Sequence, residues 1–436
     1  MGEQARTRLP PAAQGDWSPA STRADPIALL EQQSASRVPE LVAIRHGRMM
    51  VSLGTYFRGA ALAMAADLAA TPVTGINVQL GGDAHLSNFG LYASPERDLL
   101  FDMNDFDETL PGPWEWDLKR LAASIVIAGR VRGFATEKTK HAAHAAVRSY
   151  RERMHAFAAM SAMDVYYSRV DAVAVTEFVD KRARAQLEAT VKAARHHDAI
   201  HDIPKLTRVV DGRLRLVDQP PTVYHPAWSD TSIPVDALSA YSKTMEDDRR
   251  ALLDRFEFVD AAVKVVGVGS VGLYAFVALF VERGTDHPLF LQVKEAQASV
   301  LERFLRRSAY PNHGERVVVG QRRLQAASDI FLGWVSGRAG RHFYVRQLQD
   351  QKGSATLDTM TFEDLLAWGE VCGWALARGH ARTGEPASIA AYLGEDDAMD
   401  RAIGRFAVAY ADQTERDYEA FLAAIRDGRL PAQEGA

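Results

Sequence analysis

The chain has 436 residues, 47% of them hydrophobic and 25% charged, with a formal net charge of −5. That is the profile of a soluble globular protein with a sizeable core, divided into two or three units. The acidic balance gives no support to a general nucleic-acid-binding role. A single cysteine, Cys372, excludes an intrachain disulfide and argues against a cysteine-built zinc site.

Residues 1–37 have no apolar segment of a secretory signal and read as a flexible tail. No apolar run in the chain reaches the ~18 residues of a membrane span, so a cytoplasmic protein without membrane or nucleic-acid partners is expected. Residues 38–70 read as helix, ending before Pro72. "GINVQLG" is a buried strand, followed by the polar turn "GGDAHLSNFG" at 81–90. The runs "FGLYA" and "LLFDM" flank the turn-forming "SPERD" and predict a hairpin. A helix starts after Pro113, with Leu118, Leu121, Ala122 and Ile125 on one face. Helices are expected over 136–198. "LTRVVDGRLRLVDQPP" predicts a hairpin around Asp211-Gly212, and Pro220 to Pro234 is the best linker.

A helix at 236–256 leads into a β-rich block over 262–350. That block carries a glycine cluster, a helical section at 299–328 and a hairpin around Gly337–Gly340. Residues 361–425 are helical again, beginning at Thr361 with Glu363 in the first turn. The expected class is therefore α+β. A helical unit with the polar turn spans 38–235, a β-rich unit spans 236–352, and helices at 353–436 return to the first unit.

Two stretches carry chemistry. "GVGSVG" contains Gly267, Gly269, Ser270 and Gly272. A dinucleotide site needs a helix directly after such glycines and an acid about 20 residues on. Here the strand-forming "LYAFVALFVERG" follows, and then Lys294 at the end of "PLFLQV". Strand, glycine loop, strand and lysine is the protein-kinase arrangement. Glycines let backbone approach phosphates, and Lys294 supplies a point charge for the α- and β-phosphates. A buried ammonium needs a partner, expected from the following helix as Glu302, with Glu295 and Glu315 behind it.

The second stretch is the polar turn. Phosphoryl transfer uses a positioning Asp, an Asn five residues on that holds metal, and a second Asp beyond a hairpin. Asp83, Asn88 and Asp105 fit that spacing, and their hard oxygens suit Mg²⁺. Asp102 is a rival to Asp105, which is preferred for its place at the strand's end and for Phe106 after it. His85 is expected to orient the loop. Asp117, in the first turn of its helix, is accounted for by the helix dipole. Arg58 is expected to bind phosphate or to pair with an acid. Ser87 lacks a G-x-S-x-G elbow, and the further "GD" and "GNH" stretches of a metallophosphoesterase are missing.

These residues resemble the protein-kinase-like superfamily, particularly aminoglycoside and choline phosphotransferases. "GGDAHLSN" is similar to their HGD-x-H-x-x-N loop, with Gly81 in place of the first His. "NDFDETLPGPWEWDLKRLA" is similar to their metal-binding segment. The resemblance implies a two-lobed kinase-like fold with Asp83 as catalytic base, Asn88 and Asp105 as Mg²⁺ ligands, and Asp117 as a structural acid. Because the glycine loop and Lys294 follow the catalytic loop, it also implies a circular permutation, tolerable where termini lie close. "FEDLLAWGEVCGWALARGHA" then stands for the helix ordinarily before the catalytic loop. "FYVRQLQDQKG", with Arg346 and Gln347, stands for the hinge strand that bonds adenine. Over roughly residues 38–385 the chain also resembles an uncharacterised bacterial family, domain of unknown function 2252. "RMMVSLGTYFRGAA", "GDAHLSNFG", "FDMNDFDETLPGPWEWDLKRLAAS", "LQVKEA" and "VRQLQDQKGS" carry that likeness, which implies no activity. The expectation is an ATP- and Mg²⁺-dependent phosphotransferase with an unidentified hydroxyl acceptor and an open oligomeric state. A nucleotide-binding pseudokinase module and an adenylyl transferase using the same cleft are the alternatives.

Overall fold

The computed structural model describes residues 1–172, 175, 206–225, 235–265, 267–285, 287–348 and 357–433. Its architecture is mixed α/β, and it is set by where the apolar helix faces meet. Helix Glu115–Val131 is buried at nearly every position from Glu115 to Ile127. It packs against helices Thr136–Ala158 and Ala398–Arg426, while Phe362–Thr383 lies along Thr136–Ala158. The last pair sits close: a Cβ on Gly373 would lie 2.2 Å from the Ala146 carbonyl oxygen. One core therefore joins residues before the sheet, such as Leu121, Ala146 and Tyr150, to residues after it, such as Leu376 and Phe406. The late helix starts at a capping box, in which Thr361 and Asp364 exchange side-chain-to-backbone hydrogen bonds. Asp364, rather than Glu363, closes it.

Between these helical segments lies a six-stranded antiparallel sheet. Its order is Gly333–Ser336, His342–Gln347, Pro288–Ala296, Ala275–Glu282, Phe256–Lys264 and Val223–Tyr224. Strand Pro288–Ala296 is paired on both sides and buried at all but its first residue. Leu289, Leu291 and Val293 join one apolar cluster and Phe290 another. The two-residue period of a strand then puts Gln292 and Lys294 on the Phe290 side. The expected hairpins form: Phe89–Ala93 with Leu99–Met103, and Thr207–Val210 with Arg213–Leu216. Asp211 and Gly212 both take positive φ, 50° and 73°, as a tight primed turn requires. The hairpin around Gly337–Gly340 also forms, between Gly333–Ser336 and His342–Gln347.

Several expectations are corrected. Residues 1–37 are not a flexible tail. They fold as Gly2–Arg8, a 3₁₀ segment Pro11–Gly15, and Pro26–Ser34, with Ala5, Gln14, Ile27 and Leu30 buried. Their anchors are too few to show a period, and charge helps hold them: Arg23 reaches Asp67 at 2.7 Å and Asp417 at 2.6 Å. The single helix over 38–70 is three, Pro39–Met50, Leu53–Gly59 and Ala61–Ala69. The helix at 236–256 is two, Val235–Ser242 and Asp247–Leu253. The linker from Pro220 holds the edge strand Val223–Tyr224, and its residues 226–234 lie outside the described residues. So does most of the helical stretch beyond Tyr167. Among the described residues no helix is long and apolar enough to cross a membrane.

Arg23→Gln leaves two nearly buried carboxylates facing each other without their cation. Loss of one partner of such a network costs about 3–5 kcal/mol, so the thermal unfolding midpoint is expected to fall clearly. An unchanged midpoint would return residues 1–37 to the status of a tail.

Candidate active site

Strand Asn77–Leu80 runs through Gly81 and Gly82 to Asp83, on the wall of a cavity of about 760 Å³. Gly82 is a steric requirement, and at Gly81 any side chain would have to displace the end of Met103. A Cβ on Gly81 would lie 2.2 Å from Met103 Sδ. Gly82 has φ +83°, and its Cβ would lie 2.2 Å from the Glu108 carbonyl oxygen. Both amides donate to the Asp117 carboxylate, at 2.7 and 3.0 Å. His380 Nε2 lies 3.3 Å from the same carboxylate. Asp117 therefore holds the loop's backbone, which is more than dipole complementarity.

Helix Glu115–Val131 supplies a second support. Arg120 Nε donates to Asp83 Oδ1 at 2.6 Å, and Arg120 Nη2 donates to the Phe57 carbonyl at 3.0 Å. Asn88 Nδ2 donates to the Asp83 carbonyl at 2.8 Å. That occupies the nitrogen of the amide and leaves its oxygen as the group Asn88 can offer a cation. His85 is buried, with Nε2 3.5 Å from Asp83 Oδ2. Burial pushes its imidazole down to about 4, aided by Arg120 and Arg58 and opposed by Asp83. A neutral ring braced within the loop fits the orienting role.

Beyond the hairpin the two candidate aspartates separate. Asp102 is buried and accepts from Arg378 Nη2 at 2.6 Å and from the Ala326 amide at 3.0 Å. Asp105 lines the cavity. Lys294 Nζ lies 3.8 Å from Asp105 Oδ2 and closer still to Asp107 Oδ2. Tyr344, opposite Lys294 in the sheet register, donates its hydroxyl to Asp107 Oδ1 at 2.8 Å. Burial alone would lower the Lys294 ammonium, but Asp105 and Asp107 outweigh it and hold it above its ordinary value. Burial alone would raise Asp105, but Lys294 and Arg346 hold it below the usual carboxylate range.

The partner expected for Lys294 is thereby corrected. After strand Pro288–Ala296 the chain turns through the 3₁₀ segment Val300–Arg303 instead of a helix. Glu302 is spent there, accepting from the Ser299 amide at 3.3 Å and lying 3.9 Å from Arg316 Nε. Glu295 pairs with Arg341 at 2.7 Å, and Glu315 sits in the first turn of helix His313–Leu324. Asp107 escaped sequence reasoning because it stands where a D-F-G pattern has glycine. Its signal was the second acid of "NDFDE".

The glycine loop joins strands Phe256–Lys264 and Ala275–Glu282, which pair antiparallel. No helix follows the glycines, so the dinucleotide reading falls on connectivity. Gly267, Gly269 and Ser270 line the same cavity as Asp83, Asn88, Asp105 and Glu302. Gly272 does not; with φ +96° it turns against Arg37, whose Cβ would be 2.9 Å from an added Cβ. The segment before the Asp83 loop grips this turn. Arg48 Nη1 donates to the Gly267 carbonyl and the Val38 amide to the Gly272 carbonyl, both at 2.8 Å, and Arg37 Nη1 donates to the Val271 carbonyl. Arg37 and Arg48 were missed in the sequence, the first because it closes a stretch read as a tail and the second because a lone arginine on a helical stretch carries no pattern.

Residues 37–424 match the family described as "Uncharacterized protein conserved in bacteria (DUF2252)". The chain belongs to this family. No curated protein and no solved structure matches it.

Two assigned residues of this DUF2252 chain lie elsewhere. Arg346 and Gln347 line a separate cavity of about 100 Å³, with Asn104, Gln325 and Asp329. Arg346 donates to Gln292 Oε1 at 3.0 Å and to the Asn104 carbonyl at 3.1 Å, and the Gln347 amide donates to Asp329. Both pair only with strand Pro288–Ala296, beyond the end of the Gly333–Ser336 ladder at Val345, and the contacts just named commit the Arg346 guanidinium and the Gln347 amide. The "QDQKG" stretch that follows lies outside the described residues. Among the described residues no cluster of three or more His, Cys, Asp or Glu forms a ready-made metal site.

His85 gives a measurable consequence. Its imidazole is expected to stay neutral at pH 5.5 in ¹H–¹⁵N NMR and to protonate near 4. The unfolded chain binds that proton more readily, so the stability His85 contributes is lost as pH falls from the ordinary 6.5 towards 4. His85→Gln should flatten that slope. A histidine that protonates at its ordinary value would contradict the orienting role.

Proposed function

We propose that this chain is an ATP- and Mg²⁺-dependent phosphotransferase of kinase-like, circularly permuted, two-lobed design. The observation that carries the reading is the ion pairing of Lys294 with Asp105 and Asp107. It ties a lysine from the middle of the sheet to two aspartates that line the cavity shared by Asp83, Asn88 and the glycine loop. Joining a catalytic loop, a metal-binding acid, a glycine turn and a strand lysine around one cavity is what phosphoryl transfer asks of a protein. Helices from both ends of the chain sharing one core support the permuted order.

The donor set fits a hard divalent cation that also binds nucleotide phosphates. Asp105 is held ionised, and Asn88 has its amide nitrogen tied back. Bound there, Mg²⁺ would neutralise charge on the transferred phosphoryl group. Asp83 then receives the proton of the acceptor hydroxyl, with Arg120 fixing its carboxylate. The bond from the γ-phosphorus to the β-phosphate oxygen breaks as one to the acceptor oxygen forms, giving ADP and a phosphorylated acceptor. Lys294, fixed by two carboxylates, offers its positive charge to the nucleotide phosphates. Placing such groups in advance lowers the reorganisation needed during the reaction.

Calorimetry with ATP, ADP, GTP and NAD, with and without Mg²⁺, tests this. ATP is expected to bind only weakly without the metal. Asp105→Asn should abolish the gain from Mg²⁺. Asp83→Asn should keep nucleotide binding and slow ATP turnover by about a hundred- to ten-thousand-fold, the usual contribution of a positioned base. ATP binding without turnover in the unaltered chain would make it a nucleotide-binding pseudokinase instead, unchanged turnover in Asp83→Asn would remove Asp83 from the chemistry, and NAD binding without ATP binding would end the kinase reading.

A further inference from the structure

The acids and bases around the cavity are unequally paired. Asp83 has Arg120 at 2.5 Å, Asp105 and Asp107 share Lys294, Glu295 has Arg341, and Glu302 lies near Arg316. These compensating cations come from outside the lining. The arginines that do line it, Arg37, Arg58, Arg303 and Arg307, pair with no carboxylate among the described residues. Arg37 is only 8% exposed and its Nε is buried without a hydrogen-bond partner. Arg58 Nε is likewise buried and without a partner. A buried guanidinium N–H left unpaired is costly unless something else satisfies it.

The position of Arg58 says what that something is. It follows Phe57, whose carbonyl receives Arg120 Nη2 at 3.0 Å and whose ring lies 4.1 Å beneath the Arg120 guanidinium. Arg120 in turn holds Asp83. Arg58 therefore stands close to Asp83, where the acceptor hydroxyl must approach, and its carbonyl also borders the glycine turn, 3.5 Å from where a Cβ on Gly269 would lie. The nucleotide phosphates already have Lys294 and the glycine turn. We infer that Arg58, with Arg307 at the rim, forms an oxyanion subsite for the acceptor, which carries a phosphate or carboxylate group beside its reacting hydroxyl. This deepens the phosphotransferase reading and rests on it for the acceptor's role. It also sets the chain apart from enzymes that phosphorylate polycationic or choline-like acceptors, for which a cationic wall would be repulsive.

Inorganic phosphate is the probe, titrated into the full chain by calorimetry. It is expected to bind the free chain and still to bind when a non-hydrolysable ATP analogue and Mg²⁺ saturate the nucleotide site. Arg58→Gln should weaken phosphate binding about tenfold or more, the scale of one lost charge-assisted hydrogen bond, with analogue binding unchanged. Arg307→Gln, at an exposed position that folding does not need, should weaken phosphate in the same direction. Phosphate binding unaffected by both substitutions, or absent from the wild-type chain, would overturn the subsite. Displacement of phosphate by the analogue would assign these arginines to the nucleotide and overturn the anionic acceptor. Phosphate binding that depends on Arg58 in a chain that binds no analogue would keep the anion site while ending the phosphotransferase reading.

Discussion

A lysine ammonium in a protein interior must find its counter-charge there or lose its charge. Lys294 is 3% exposed, and its counter-charges come from Asp105 and Asp107, on the segment that leaves the hairpin. Much of the architecture meets at this junction. Asp107 is bonded by Tyr344 from the neighbouring strand, and its carbonyl by Arg316 from helix His313–Leu324 at 2.7 Å. Sheet, helix and hairpin exit are thus tied at three consecutive residues, Asp105 to Asp107. The sheet's position relative to the Asp83 loop follows from charge satisfaction, with apolar packing filling in around it.

The other wall is organised by one helix. Asp117 and Arg120 are three residues apart on Glu115–Val131, which places them on one face. Asp117 takes the loop's two glycine amides and Arg120 takes the Asp83 carboxylate. The same turn of helix therefore sets both the loop's backbone path and its functional side chain. Gly82 is required because its backbone takes φ +83° and passes close to the Glu108 carbonyl on the way to its bond with Asp117. The loop is thus held by a buried helix whose Asp117 and Arg120 do not themselves line the cavity.

This division explains what was legible in the sequence. Turn chemistry and strand alternation are local, so the hairpins at Asp211-Gly212 and after Asn88 could be read directly, as could the strand after the glycine loop. The shared cavity of Asp83, Asn88 and Asp105 was legible because their spacing is short and typed by chemistry. The partner of Lys294 was not. A neighbouring glutamate was expected, but the chain leaves its strand through a 3₁₀ turn and the counter-charges come from remote positions. Residues 1–37 failed for a related reason. Their order comes from a few buried apolar contacts and from Arg23, whose partners Asp67 and Asp417 sit far along the chain. Arg346 and Gln347 were drawn to the cavity by analogy, whereas Gln292 and the Asn104 carbonyl engage the Arg346 guanidinium and Asp329 engages the Gln347 amide.

The order of segments has its own physical consequence. Because the glycine loop arrives late, the helices around Arg37 and Arg48 precede both halves of the site and are free to lie across it. They engage three carbonyls of the turn, those of Gly267, Val271 and Gly272. In a trans peptide the carbonyl and the next amide point in opposite directions. Drawing the Gly267 carbonyl towards Arg48 therefore turns the Val268 N–H away from Arg48, and Val268 lines the cavity. A loop whose carbonyls are held from behind presents donors in front, which is the polarity a phosphate requires. The arginines that grip the loop are thus part of what would make it an anion cradle, and they do so by bonding its carbonyls, with no need to touch the anion.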